Sequence, residues 1–201
     1  MDREVKAIGY WADSMRRRVL PLVEDGIYFL DIDSSVCAMN NCDETLGSQI
    51  DLCAGLLQDV SELMDEDFGL PRADDIPIPL IEWAVLSPVS FCWLVSYCYY
   101  LMEEREYRFN EQQPLRKKIE AIPYPYDVVS ISQDPPLLIP ERKIDESDST
   151  VYAYRRYYSA RYKSSVWTNR PRPAFMWQIP NTEERTIVPL KILSRKNNIN
   201  A

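Results

Sequence analysis

No histidine occurs among the 201 residues, and glycine appears only five times. A histidine-based catalytic triad, a histidine-rich zinc site and the glycine-rich loops that cradle phosphate are thereby excluded. The five cysteines, at positions 37, 42, 53, 92 and 98, form no C-x-x-C pair, so neither a zinc knuckle nor a thioredoxin-like redox motif is present. Their odd count, the lack of any N-x-S/T glycosylation site and the charged residues straight after Met1 point to a reducing intracellular setting or a virion, not to secretion. All five read as small buried apolar groups, with Cys37 and Cys42 the more exposed pair.

What is present is unevenly spread. Residues 1–75 carry 17 acidic and 6 basic side chains, residues 76–150 carry 12 and 7, and residues 151–201 carry 2 and 10. The net charges of −11, −5 and +8 are hidden inside a total of −8. Screened Coulomb attraction reaches only about 10 Å at 0.1 M salt, so the basic last quarter acts on its surroundings independently of the acidic average. All five glycines lie at or before Gly69, and 14 of the 15 prolines lie after Leu70. Two chain regimes meet there.

The N-terminal half of the chain reads as helical. Val5, Ile8, Ala12, Met15 and Val19 fall on one stripe of a helix over 3–20 that Pro21 stops. Ile27 to Asp33 is an apolar run of strand length, a short strand or a buried turn. Leu46, Ile50, Cys53, Leu57, Val60 and Met64 form a second stripe over 43–67, which Gly69 and Pro71 end. After an extended Ile76 to Pro79 segment, Ser87 as N-cap and Pro88 at the first helical position start a third helix that runs to about Asn110. Its first half is apolar all round. Glu103 to Arg108 projects into water, with Glu104 and Arg108 placed as an i,i+4 pair. Met15, Ile50, Leu57, Phe91, Trp93 and Leu94 are expected in the core.

The expectation is a mainly α fold: a small body of about three helices over 1–113, and over 114–201 an extended, Pro-rich, basic and aromatic arm with short strands. Candidate strands are 128–131, 174–179 and 185–193, the last an edge because Pro189 cannot donate to a ladder. Within the arm, 151–163 is the one run long enough for a helix.

Three features bear on function. Trp83 to Met102 is twenty residues without a charge, a membrane-spanning length. Pro88, three serines and an unbiased charged flank make a central core helix the better reading, so a membrane is not an expected partner. Asp31 and Asp33, in the run Phe29 to Ser35, lie on one face of an extended chain. Over those few residues the sequence resembles the D-x-D-x-T loop of the haloacid-dehalogenase-like phosphatases, and the resemblance implies Mg²⁺-dependent phosphoryl transfer at the two aspartates. The family's later elements are missing: Asp74 and Asp75 follow no strand, and no lysine occurs between Lys6 and Lys117. The competing reading is an aspartate cap or turn ahead of Ser34 and Ser35.

The third feature is the stretch between Asp148 and Glu183, which has no acidic residue at all. Tyr154, Arg155, Arg156, Tyr158, Arg161, Tyr162, Trp167, Arg170, Arg172 and Trp177 are its candidate interaction residues. Guanidinium groups interleaved with rings suit single-stranded nucleic acid, where one pairs phosphates and the other stacks on bases. They suit a protein interface equally, since Tyr, Trp and Arg dominate interface hot spots. They also suit return of the arm onto the acidic helices of its own chain.

The sequence therefore favours a non-enzymatic structural or assembly protein that docks onto neighbouring subunits through its C-terminal arm. Virion minor capsid, connector and tail-adaptor proteins share this layout, as do small subunits of large cellular complexes. A nucleic-acid-binding module over 150–177 is the alternative, and the Mg²⁺-dependent phosphatase is third. No catalytic residue, metal ligand, cofactor site or small-molecule substrate is named by the sequence. Deleting 150–201 is expected to leave a soluble helical core that no longer assembles.

Overall fold

The computed structural model describes residues 26–74, 76–123, 134–138 and 149–177. In chain order the helices are α1 (Ser34–Asn40), α2 (Asp43–Leu63), α3 (Ile78–Leu86), α4 (Pro88–Phe109), α5 (Arg116–Glu120) and α6 (Thr150–Arg161), followed by a 3-10 turn at Ala174–Trp177. The described residues are thus mainly helical and include no strand. The helix read over 3–20, with Met15, lies outside them, as do the candidate strands 128–131 and 185–193. Of the candidate strand 174–179, the four described residues form the 3-10 turn instead.

α4 starts as its sequence dictates. The Ser87 hydroxyl accepts the Ser90 amide, and Pro88 occupies the first position, where its missing N–H would have had no partner anyway. Asn110, in the left-handed conformation that asparagine tolerates, closes the helix. α1, α2, α3 and α5 all pack against α4, whose Phe91, Trp93, Leu94, Val95, Tyr97, Leu101 and Met102 are buried. The stripe of α2 is buried through Leu46, Ile50, Cys53, Leu57 and Val60, while Met64, past the last turn, is exposed.

Several expectations need correction. Ile76 to Pro79 is not wholly extended: Ile78 and Pro79 make the first turn of α3, since proline within that turn forfeits no intrahelical bond. The uncharged stretch Trp83 to Met102 belongs to two helices that meet at Ser87 and are bent by 112°. Among the described residues no single helix is long and apolar enough to cross a membrane. The charged end of α4 does not simply enter water, because Glu104 and Arg108 are buried. α2 ends earlier than Gly69: the Glu66 amide returns to the Ser61 carbonyl at 2.8 Å and the Asp65 amide to the Glu62 carbonyl at 3.3 Å. That pair of bonds is a Schellman closure with an aspartate at the left-handed position where glycine is usual.

The run Ile27 to Leu30 is buried and belongs to no strand among the described residues; the Leu30 N–H turns back to the Tyr28 carbonyl at 3.1 Å, and side chains satisfy further backbone groups. The Gln49 amide spans two of them, accepting from the Tyr28 N–H at 3.0 Å and donating to the Gly26 carbonyl at 2.9 Å. Cys37 Sγ accepts from the Leu30 N–H at 3.2 Å and donates to the Tyr28 carbonyl at 3.3 Å. Contact with this run leaves Cys37 with no exposed surface, and Cys42 likewise lies in the core, so the two are not the more exposed pair. All five cysteines are free and buried. Burial pushes the Cys37 thiol up to about 12.

Candidate docking face

Residues 149–177 lie against the body. Ser149 caps α6 by accepting the Tyr152 amide, and the i,i+4 pair Tyr154 and Tyr158 faces inward. Tyr154 packs edge-on against Phe29 with ring centres 5.5 Å apart, and its hydroxyl donates to the Pro136 carbonyl at 3.0 Å. Tyr158 stands edge-on to Tyr28 at 5.0 Å. Its hydroxyl accepts from the Cys42 amide at 2.6 Å and lies 2.8 Å from Thr45 Oγ1. Burial raises both phenols well above the ordinary tyrosine range. Tyr162 is half-buried, its hydroxyl 3.2 Å from that of Tyr28.

The loop after α6 binds the start of α2. Cys42, the N-cap of α2, makes no side-chain cap bond. Its helix end is served from elsewhere: the Asp43 amide donates to the Val166 carbonyl at 3.0 Å, and the Asp43 carboxylate accepts from the Thr168 amide at 3.1 Å and hydroxyl at 2.7 Å. A carboxylate in the first turn also complements the helix dipole. Ser165 donates to Glu44, and Trp167 Nε1 donates to the Asn40 carbonyl at 3.1 Å.

Behind this seam sits an arginine with no exposed side-chain surface. Arg108 donates to the Asn41 carbonyl at 2.8 Å, the Met39 carbonyl at 2.9 Å, Asp43 Oδ1 at 3.0 Å and Glu104 Oε2 at 3.2 Å. Arg170 clasps the same Glu104 carboxylate from the loop side. A buried charge is tolerable only when paired and hydrogen-bonded, and here each guanidinium and carboxylate has such partners.

The ten candidate interaction residues therefore divide. Tyr154, Tyr158 and Trp167 are buried in the chain's own core. Arg155 donates to the Leu30 carbonyl at 2.6 Å and pairs with Asp31, and Arg170 pairs with Glu104. Arg161 bonds the Tyr157 hydroxyl at 3.2 Å, and Arg156 is exposed on α6. Arg172 and Trp177 come together on the outside. The Arg172 guanidinium lies 4.6 Å from the Trp177 ring centre and 5.6 Å from that of Trp167. It donates to the Lys163 carbonyl, its Nε–H is buried without a partner, and Trp177 is 70 % exposed.

Sequence reading missed Tyr107, which lies 55 % exposed beneath the Arg170 guanidinium at 4.3 Å and extends the same face. An aromatic residue inside the charged run Glu103 to Arg108 was the signal. Asp33 is the N-cap of α1, its Oδ1 accepting the Ser35 and Val36 amides at 2.9 and 3.0 Å. Asp31 is engaged by Arg155 and by the Asp33 amide at 3.1 Å. No group of three or more cysteine, aspartate or glutamate side chains is gathered for a metal ion among the described residues.

No protein-family model, curated protein or solved structure matches this chain.

Proposed function

We propose that this chain is a non-enzymatic structural subunit that docks onto neighbouring subunits of a larger assembly through the outward face of residues 149–177. The observation that carries the reading is the pairing of Arg172 with Trp177. A large indole is left mostly in water with a guanidinium stacked on it, the residue types and arrangement of an interface hot spot. The inward half of the same segment is fixed to the body by Tyr154, Tyr158, Trp167 and four acidic residues, Asp31, Asp43, Glu44 and Glu104. The outward half is thus presented on a rigid support, which lowers the ordering cost of binding. A particle subunit, a virion connector or tail adaptor among them, would use such a face.

The alternative of a single-stranded nucleic-acid module draws support from six basic and no acidic side chains in 149–177. Against it, stacking on bases needs open rings. Tyr154, Tyr158 and Trp167 are buried and Tyr107 and Trp177 each carry a guanidinium on one face, which leaves Tyr152, 51 % exposed, as an open ring on α6.

The test is the solution mass of the full-length chain by size-exclusion chromatography with light scattering at low and high salt. A species heavier than the 23.5 kDa chain that persists in salt and is lost in Trp177→Ala supports docking through this face. A single chain that binds a single-stranded oligonucleotide, with affinity falling steeply in salt, supports the alternative.

A further inference from the structure

The molecule is polarised along α2. Residues 26–74 hold eleven acidic side chains and one basic, Arg72, whereas residues 149–177 hold six basic and none acidic. Return of 149–177 onto the body pairs Asp31 with Arg155 from these two sets, while Arg170 is taken up by Glu104 of α4. Among the groups that remain, one guanidinium and one run of carboxylates lie at opposite ends of the same helix. At the N-terminal end, Trp167 and Thr168 are bound to Asn40 and Asp43, and Arg172 stacks on Trp167. Arg172 has no carboxylate partner among the described residues. At the C-terminal end, Asp65, Glu66 and Asp67 are all exposed just past the last turn. The 21 residues of α2 separate these ends by about 31 Å at 1.5 Å per residue.

Beside the acidic turn lies an open cleft of about 290 Å³ lined by Asp67, Phe68, Lys117, Lys118, Ala121 and Ile122. Phe68, Ala121 and Ile122 make an apolar floor, Asp67 supplies an acidic wall, and Lys118 is engaged on the Gly69 carbonyl. Its size suits one ring, not a folded element. The opposite end of the molecule carries such a ring, Trp177, with a cation stacked beside it. Seating that indole on the apolar floor sets Arg172 against Asp67 and Glu66, where a planar guanidinium finds the carboxylate it lacks.

Resting on the docking reading above, we infer that the partner at Arg172 and Trp177 is a second copy of this chain, engaged head to tail through its acidic turn 65–67 and the adjoining cleft. Such a contact joins two different surfaces, so it leaves one free end of each kind and propagates into a ring or a filament.

The test uses full-length protein in sedimentation velocity over a range of concentrations. Arg172→Glu spoils only the basic end. Glu66→Lys spoils only the acidic end, and Ala121→Arg, at an exposed position, blocks the cleft. Each variant alone should associate at least about tenfold more weakly than wild type, the size of effect a repelling charge at an interface has. An equimolar mixture of Arg172→Glu and Glu66→Lys should give a species of twice 23.5 kDa and nothing larger, because each variant contributes its one intact end. Circular dichroism of each variant confirms that the fold is retained.

A wild-type chain that stays single at all concentrations overturns the inference. So does association lost in Arg172→Glu but unchanged in both Glu66→Lys and Ala121→Arg, an outcome that leaves the docking face standing. Association unchanged in Arg172→Glu and Trp177→Ser removes the docking face as well.

Discussion

The Tyr158 hydroxyl accepts the Cys42 amide at 2.6 Å across 116 positions of sequence, so the long helix that begins at Asp43 is completed by a residue from near the far end of the chain. The Val166 carbonyl and Thr168 close the same helix end. Segment 149–177 is therefore part of what makes the body a body.

Removing the hydroxyl alone, in Tyr158→Phe, leaves the Cys42 N–H buried without an acceptor. The expected loss is about 1–3 kcal/mol. Urea unfolding should show a lower midpoint with an unchanged slope, since the surface exposed on unfolding is the same.

Deleting 150–201 has a different outcome from the one its composition suggests. The deletion strips Tyr154, Tyr158 and Trp167 from the core, uncovers Tyr28 and Phe29, and orphans the Asp43 amide. The truncated chain should lose cooperative unfolding and helical signal in far-ultraviolet circular dichroism. A well-folded helical product would show that α6 is an accessory element after all.

Glycine is needed inside α2 at position 55. A Cβ there would sit 2.3 Å from Ala73 Cβ and 2.6 Å from the Ala73 backbone nitrogen, and the backbone cannot yield as a flexible side chain would. Gly55→Ala gains about 1 kcal/mol of helix propensity but should still be destabilising, because overpacking of this kind costs about 1–3 kcal/mol and the clash here involves main chain. Thermal unfolding decides the sign.

Glycine is absent where geometry favours it, at Asp65, whose φ is 57°. Asp65→Gly removes the left-handed penalty and a negative charge at the negative end of α2. It should stabilise the chain by about 0.5–1 kcal/mol, measured by urea unfolding.

Alkaline pH should destabilise this core. Burial pushes Cys37 and Cys98 up to about 12 from an ordinary 9.0, and raises Cys53, Tyr97, Tyr154 and Tyr158 as well. Above pH 9 the unfolded chain releases protons that the folded chain retains, so the unfolded state binds fewer and stability falls as pH rises. Each such group contributes a slope of roughly 1.4 kcal/mol per pH unit between its unfolded and folded values. Melting temperature should hold level up to about pH 8 and then decline through the window from 9 towards 12. A flat profile to pH 11 would mean that these groups are not sequestered.

Legibility followed the range of the signal. The stripe from Leu46 to Val60 and the Ser87–Pro88 start are local patterns, and they gave α2 and α4 with their buried faces. Asp33 as a cap was legible for the same reason. α1 has seven residues, too few for a period to repeat, and α3 hides its first turn behind two prolines. α6 carries its inward stripe on tyrosines, which read as half-polar, so its helix was seen only as a length that allowed one. On the candidate face the composition was visible, but the stacking of Arg172 between Trp167 and Trp177 was not. It joins residues five apart on either side of the guanidinium through a loop that has no period to read.

The borrowed closure of α2 also sets a schedule for synthesis. Asp43 leaves the ribosome 123 residues before Val166, the residue whose carbonyl its amide requires. At about 5–20 residues per second the interval is roughly 6–25 s. Throughout that time the nascent chain shows its aromatic interior, Tyr28 and Phe29 included, to whatever chaperone stands at the exit tunnel. Slowing translation before codon 150 should therefore lower the yield of folded chain more than slowing it anywhere after codon 177.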